Sequence, residues 1–167
     1  MRSSIGQLTG GDLPELVETS GEATRQRDLS LLAKARPDDV LAAFASLPDR
    51  PASTFLRPPE TGMVMTRGRV GGSGAPFNLG EMTVSRAVVR LEDGEVGVGY
   101  VAGRNKRHAE IAAIVDAMLQ SGRWRDMARS MVIEPLAASA AERRATASRK
   151  AAATRVEFFT MVRDRKS

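Results

Sequence analysis

Between Glu22 and Ala35 the apolar residues Leu29, Leu32 and Ala33 recur at intervals of three and four, the spacing that lines side chains along one stripe of a helix. Pro37 stops that run and opens another, with Asp38 and Asp39 placed where a first turn favours negative charge. Val40, Leu41, Phe44 and Leu47 form the inward face of this second helix, and Pro48 closes it. The pattern predicts an N-terminal pair of helices. Ahead of it, residues 1–21 hold Gly6, Gly10, Gly11, Pro14 and Gly21 without a sustained period. They read as a flexible extension, which leaves residues 22–167 as a single domain.

The middle of the chain changes period. STFLR (53–57), GMVMTRGRV (62–70), EMTVSRAVVRL (81–91) and EVGVGYVAG (95–103) carry the valines and threonines that favour strands. In the third of these, Met82, Val84, Arg86, Val88 and Arg90 alternate with Thr83, Ser85, Ala87, Val89 and Leu91. One face therefore ends on arginines while the other is small and apolar. Asp93-Gly94 between the last two strands suits the positive φ angles of a tight hairpin.

After Arg104 the helical period returns. Ile111, Ala112, Val115, Met118 and Leu119 share a stripe, and Gly122 is the expected C-terminal cap. A short helix from Trp124 to Met131 is expected to end near Pro135, followed by an alanine-rich helix over about 138–154 and an apolar segment, VEFFTMV. The whole predicts an α+β domain: an antiparallel sheet of about four or five strands flanked by helices, with an apolar C-terminal segment. That segment carries Phe158, Phe159 and Met161 on its two faces, so it needs cover from an inner strand position or from another subunit.

Composition removes several chemistries. The 167 residues include no cysteine, which excludes disulfides, thiolate zinc sites and thiol catalysis. No run is long and apolar enough for a membrane span, and the first residues lack the apolar centre of a secretory signal; a cytoplasmic protein is expected. The net charge is +5, and all but four of the 25 basic residues are arginine. Arginine pairs bidentately with phosphates and carboxylates, so a basic stand-alone anion- or nucleic-acid-binding domain is one reading. Scattered surface charge is the other. Aromatic residues amount to 4%, and arginines interleaved with aromatics on a sheet, the usual stacking platform for single strands, are absent.

TRGRVGGSGAPFNLGE (66–81) is the most distinctive stretch. A phosphate-binding P-loop needs a lysine and a hydroxyl after its last glycine, and Ala75-Pro76 stands there instead. A dinucleotide-binding loop opens directly into a helix, whereas a loop and strand follow here. What remains is a glycine turn, Gly71, Gly72 and Gly74, whose amides could hold an anion beside Arg67 and Arg69, or which serves only as a hairpin connection. Arg86 belongs to the same candidate anion or partner contact. Arg104 and His108 stand near a helix N-terminus, where amides favour anions. His108, the only histidine, also falls on the apolar stripe of its helix and so reads as a core residue, although a general-base role is the enzymatic alternative. With one histidine and no cysteine no metal site is expected. No catalytic residue can be named.

Glu60-Thr61-Gly62, RVGGSG with Phe77 and Gly80-Glu81, Val89-Arg90-Leu91, Gly103-Arg104 with His108-Ala109-Glu110, and FFTMVR occur in that order. Together they resemble the G subunit of the bacterial carbon–phosphorus lyase system, the PhnG family, over about Ala23 to Arg163. The resemblance implies a subunit required, with the H, I and L proteins, to transfer ribose triphosphate from ATP to methylphosphonate with release of adenine. It also implies a core assembly with the H, I and J subunits, the I subunit being the foremost partner. ATP is then a substrate of the complex, with no cofactor held by this subunit alone and no nucleic-acid or membrane partner. No catalytic residue comes with the resemblance, which points to a scaffold.

Overall fold

The computed structural model describes residues 20–69 and 74–153. In chain order these form α1 (Ser20–Lys34), α2 (Pro37–Ala45), β1 (Ser53–Arg69), β2 (Pro76–Leu91), β3 (Val96–Ala102), α3 (Lys106–Gln120), α4 (Arg125–Ala128), a π-helical turn (Arg129–Ile133) and α5 (Glu134–Ala153). Most of the N-terminal extension and the whole VEFFTMV segment lie outside the described residues.

The α+β expectation holds, but the strand count is lower. The described residues form one antiparallel sheet of three strands in the order β1-β2-β3, not four or five. STFLR and Gly62–Arg69 of GMVMTRGRV are the two ends of a single strand of 17 residues; Val70 lies outside the described residues. Pro58 and Pro59 lie between them and suggest a break, because proline removes a ladder donor. β1 is an edge strand, however, and edges and bulges tolerate proline. Its pairing with β2 shifts register between Phe55 and Arg57 and again between Arg57 and Glu60, and these irregularities accommodate the two rings.

β2 and β3 join through the expected turn. Gly94 adopts φ of 96°, and its N–H donates to the Leu91 carbonyl at 3.0 Å. Ala87, Val89 and Leu91 of β2 face the core and Arg86 and Arg90 face outward, as the alternation requires. On β3 the core-facing positions include Gly97 and Gly99. A Cβ on Gly97 would collide with the Ala113 carbonyl oxygen, and one on Gly99 with that of Ala109. Backbone meets backbone at this contact. Glycine on the strand and alanine on the helix let α3 settle directly onto β3.

α3 is the central element. Every residue from Ile111 to Leu119 is buried, as are His108 and Ala109. A helix covered on all sides needs small or apolar residues all round, and its run of alanines and aliphatics supplies them. The other side of α3 joins one apolar cluster with Leu32 of α1, Val40 and Phe44 of α2, and Ala128, Val132 and Ile133 of the α4 and π-helical stretch. Three arginines tie these helices together. Arg25 of α1 grips Asp116 of α3 with two bonds of 3.0 and 2.8 Å. Arg129 holds Asp28 of α1 at 2.9 and 2.7 Å. Arg143 of α5 reaches Asp39 of α2 at 2.9 Å. Forked guanidinium–carboxylate pairs fix direction as well as distance.

Two expected helix ends lie elsewhere. Ser121, not Gly122, caps α3 in an extended conformation, and its hydroxyl bonds the Asp93 carboxylate at 2.5 Å, anchoring the β2–β3 turn to the helix. Pro135 does not end the helix before it. α4, the π-helical turn and α5 run on without interruption. The wider i to i+5 turn accommodates a proline ring that would clash with the carbonyl four residues earlier in a regular helix.

This packing makes a sharp distinction between glycines. Gly99→Ala forces α3 away from β3 and is expected to cost about 3 kcal/mol, the upper part of the range for overpacked cores. Gly62→Ala, where a Cβ meets nothing within 4 Å, is expected to change stability by less than about 0.5 kcal/mol. Urea unfolding of both variants against the parent chain checks this.

Candidate subunit interface

Among the described residues the helices lie against one face of the sheet. On the opposite face Val98, Tyr100, Arg86 and Arg90 are exposed. Arg86 donates to Glu60 at 2.6 Å, and Arg57 reaches the same carboxylate oxygen at 3.3 Å.

β3 pairs with β2 only from Val84 to Arg90. The β1–β2 pairing continues past that point, from Met63 opposite Thr83 to Arg69 opposite Pro76. This leaves a two-stranded ribbon projecting about 25 Å beyond the third strand, at roughly 3.3 Å per residue. Met63 and Met65 lie on the side that α3 covers elsewhere, but past the helix: Met63 is 67% exposed and Met65 51%. Leu79 sits at the register shift between Thr66 and Arg67, folds over Gly68, and is still 62% exposed. Phe77 and Met82 add to the same arm. A two-stranded ribbon alone is marginal in water, and several large apolar side chains left exposed along it suit a surface that another molecule covers.

The two edges of the sheet differ. On β3, Asp116 accepts the Val98 N–H at 2.9 Å and the Gln120 amide donates to the Val96 carbonyl at 2.8 Å. Side chains of α3 thus satisfy groups that another strand would need. The bidentate Arg25 holds the Asp116 carboxylate in place, and that hydrogen bond pushes the guanidinium further above its already high pKa. Among the described residues no helix side chain caps β1 in this way along Thr61–Arg69, and this stretch contains no proline. Exposed edge strands of this kind are templates for strand addition.

The candidate anion contacts do not converge. Arg67 stands opposite Asn78, and Arg86 opposite Glu60. Along β2 these positions are eight residues apart, or about 26 Å, too far to share one small anion. Arg69 donates to the Gly74 carbonyl at 3.4 Å; Gly71 and Gly72 lie outside the described residues. Arg104 is exposed in the loop before α3, where the first-turn N–H of His108 is already capped by the Asn105 side chain at 2.9 Å. The His108 ring points inward instead. It is 2% exposed, with Nε2 at 2.9 Å from the Leu32 carbonyl. A carbonyl only accepts, so Nε2 carries the proton. Burial pushes the imidazole below its ordinary pKa, and the Leu32 bond offsets part of that shift. His108 is a core residue joining α1 to α3. Phe158, Phe159 and Met161 lie outside the described residues.

Among the described residues, then, the candidate site is an exposed apolar arm and no converging set of catalytic groups. The profile of the family described as "Phosphonate metabolism protein PhnG" matches residues 23–164. The chain belongs to this family. It is 45% identical over 152 residues to the alpha-D-ribose 1-methylphosphonate 5-triphosphate synthase subunit PhnG of Rhizobium meliloti (strain 1021), covering 91% of this chain and 97% of that protein. The arm, Gly62–Arg69 with Pro76–Met82, lies within the span that the family profile matches.

Sequence reasoning missed Asp116 and Gln120 as edge caps, since both lie on a helix otherwise read for its apolar stripe. It also missed the role of Gly97 and Gly99, whose alternate spacing on a strand was the available signal.

The buried histidine makes stability depend on pH. With its folded pKa lowered below about 6.5, the neutral ring is favoured in the fold, so the contribution is complete above that pH. It is lost as pH falls from there towards the lowered value, because the unfolded chain binds the proton first. The urea midpoint is expected to fall between pH 7 and pH 5.5, and to fall less in His108→Gln, whose amide can keep the bond to Leu32. A parent midpoint flat over that interval would contradict the assignment.

Proposed function

We propose that the chain is a non-catalytic scaffold subunit of the synthase that transfers ribose triphosphate from ATP to methylphosphonate, releasing adenine, in cytoplasmic phosphonate catabolism. Membership of the PhnG family and end-to-end similarity to a named synthase subunit carry this reading. The arm supports it physically: an exposed apolar ribbon is a cost to a solitary protein and an asset to a subunit. The I subunit is the foremost partner, with H and J in the core assembly and the L protein acting with them.

Within this reading the glycine turn connects the strands of the arm. Arg67 and Arg69 meet acidic groups of a partner, and Phe158, Phe159 and Met161 supply a second contact. Stand-alone binding of nucleic acid is less well supported. Arg25, Arg57, Arg86, Arg107, Arg123, Arg129 and Arg143 all engage carboxylates, so these seven of the 25 basic residues are already paired within the chain.

The arm is tested by Met63→Asp combined with Leu79→Asp. Both side chains are exposed, so the melting of the isolated chain is expected to change little. Association with the co-expressed I subunit is expected to weaken at least tenfold, or about 1.4 kcal/mol, and growth on methylphosphonate to fail. Full association and growth with both substitutions would overturn the docking role of the arm.

A further inference from the structure

We propose that the chain's own N-terminal segment, residues 12–18, docks as a strap in the basic groove between α1 and α5. The groove encloses about 870 Å³. Arg27 and Lys34 of α1 and Arg143 and Arg144 of α5 surround it, over a floor that includes Leu31 and Ala140, and among the described residues no carboxylate lines it. Asp39 offsets Arg143 from the side. Among the described residues no carboxylate pairs with Arg27, Lys34 or Arg144; the Arg144 Nε donates only to the Ala140 carbonyl, at 3.3 Å. Converging cations of this kind repel one another until an acidic occupant enters.

The sequence holds such an occupant close by. DLPELVE carries Asp12, Glu15 and Glu18 with no cation among them, and Leu13, Leu16 and Val17 to meet Leu31 and Ala140. Glu18 stands two residues before α1 begins at Ser20. α1 has 15 residues, hence about 22 Å of length at 1.5 Å per residue. The eight-residue step from Ser20 back to Asp12 spans up to about 26 Å when extended. A segment folding back along α1 therefore reaches every groove position from Arg27 to Lys34. The tether gives it a high effective concentration, which suits contacts that are individually weak. The match to the family profile begins at residue 23, so residues 12–18 lie outside it. Docked, it neutralises the groove and covers α5, whose residues from Ala147 to Ala153 are exposed.

The chain contains no cysteine, so engineered pairs report the docking directly. In the full-length chain, Leu16→Cys is combined in turn with Ala140→Cys and Ala147→Cys, and intramolecular disulfide formation is followed in dilute solution. Leu16→Cys with Arg90→Cys, on the outer face of the sheet, is the control. At least one groove pair is expected to close tenfold or more faster than the control, and to slow several-fold in 1 M salt or with Arg27→Glu and Arg144→Glu. Circular dichroism verifies that the helices persist in each variant. Closure no faster than the control, or unaffected by charge reversal, would overturn the proposal. So would protection of Ala147→Cys from alkylation by inorganic tripolyphosphate that is equal with and without residues 1–19, since the groove would then belong to a free anion.

Discussion

The contact between α3 and β3 is the constraint on which the rest of the structure depends. Gly97 and Gly99 leave no room for a side chain between the strand and the carbonyls of Ala113 and Ala109. Because the two backbones lie so close, Asp116 and Gln120 reach the outer edge of β3 and satisfy its amide and carbonyl. Asp116 is buried, and a buried carboxylate requires compensation. Arg25 supplies it and thereby fixes α1. One close packing event thus orders a strand, a second helix and an ion pair, and closes one of the two sheet edges.

What remains open follows from the same arrangement. The described helices all gather on the α3 side, and on the far face of the sheet Arg86, Arg90, Val98 and Tyr100 are exposed. The third strand stops at Ala102, while β1 and β2 run on as a ribbon with methionine, leucine and phenylalanine in water. A chain selected to act alone would shorten that ribbon or charge it, as edge strands commonly are. A chain that completes itself against another subunit has reason to keep it. The pairing of the arginines follows the same division: inside the domain Arg25, Arg129 and Arg143 stitch helix to helix, whereas among the described residues no carboxylate pairs with Arg67 or Arg69 on the arm.

Local chemistry was legible in the sequence wherever a single residue decides the backbone. Pro37 set the break between α1 and α2, Asp93-Gly94 set the hairpin, and the alternation around Arg86 and Arg90 set the faces of β2. The stripe through Ile111 and Val115 placed His108 in the core. The errors arose where tertiary context overrides a local rule. Pro58 and Pro59 read as a break, yet an edge strand with bulges carries them through. Pro135 read as a stop, yet a widened turn admits it. Exposure of the arm was illegible for a different reason: an apolar residue in a strand pattern announces a need for burial, not whether this chain or another meets it. The same limit separates Arg67 from Arg86, which are near in sequence pattern and far apart along the strands.

Hydrogen exchange of the backbone amides along Thr61–Arg69 tests the central claim most directly, measured in the isolated chain and in the assembly with its partner subunits. The account predicts slow exchange of these amides only in the assembly, while Ala87–Leu91 on the same hairpin is protected in both states. Equally fast exchange of Thr61–Arg69 inside the assembly would mean that the arm stays in solvent, and would contradict its role as the surface through which this subunit docks.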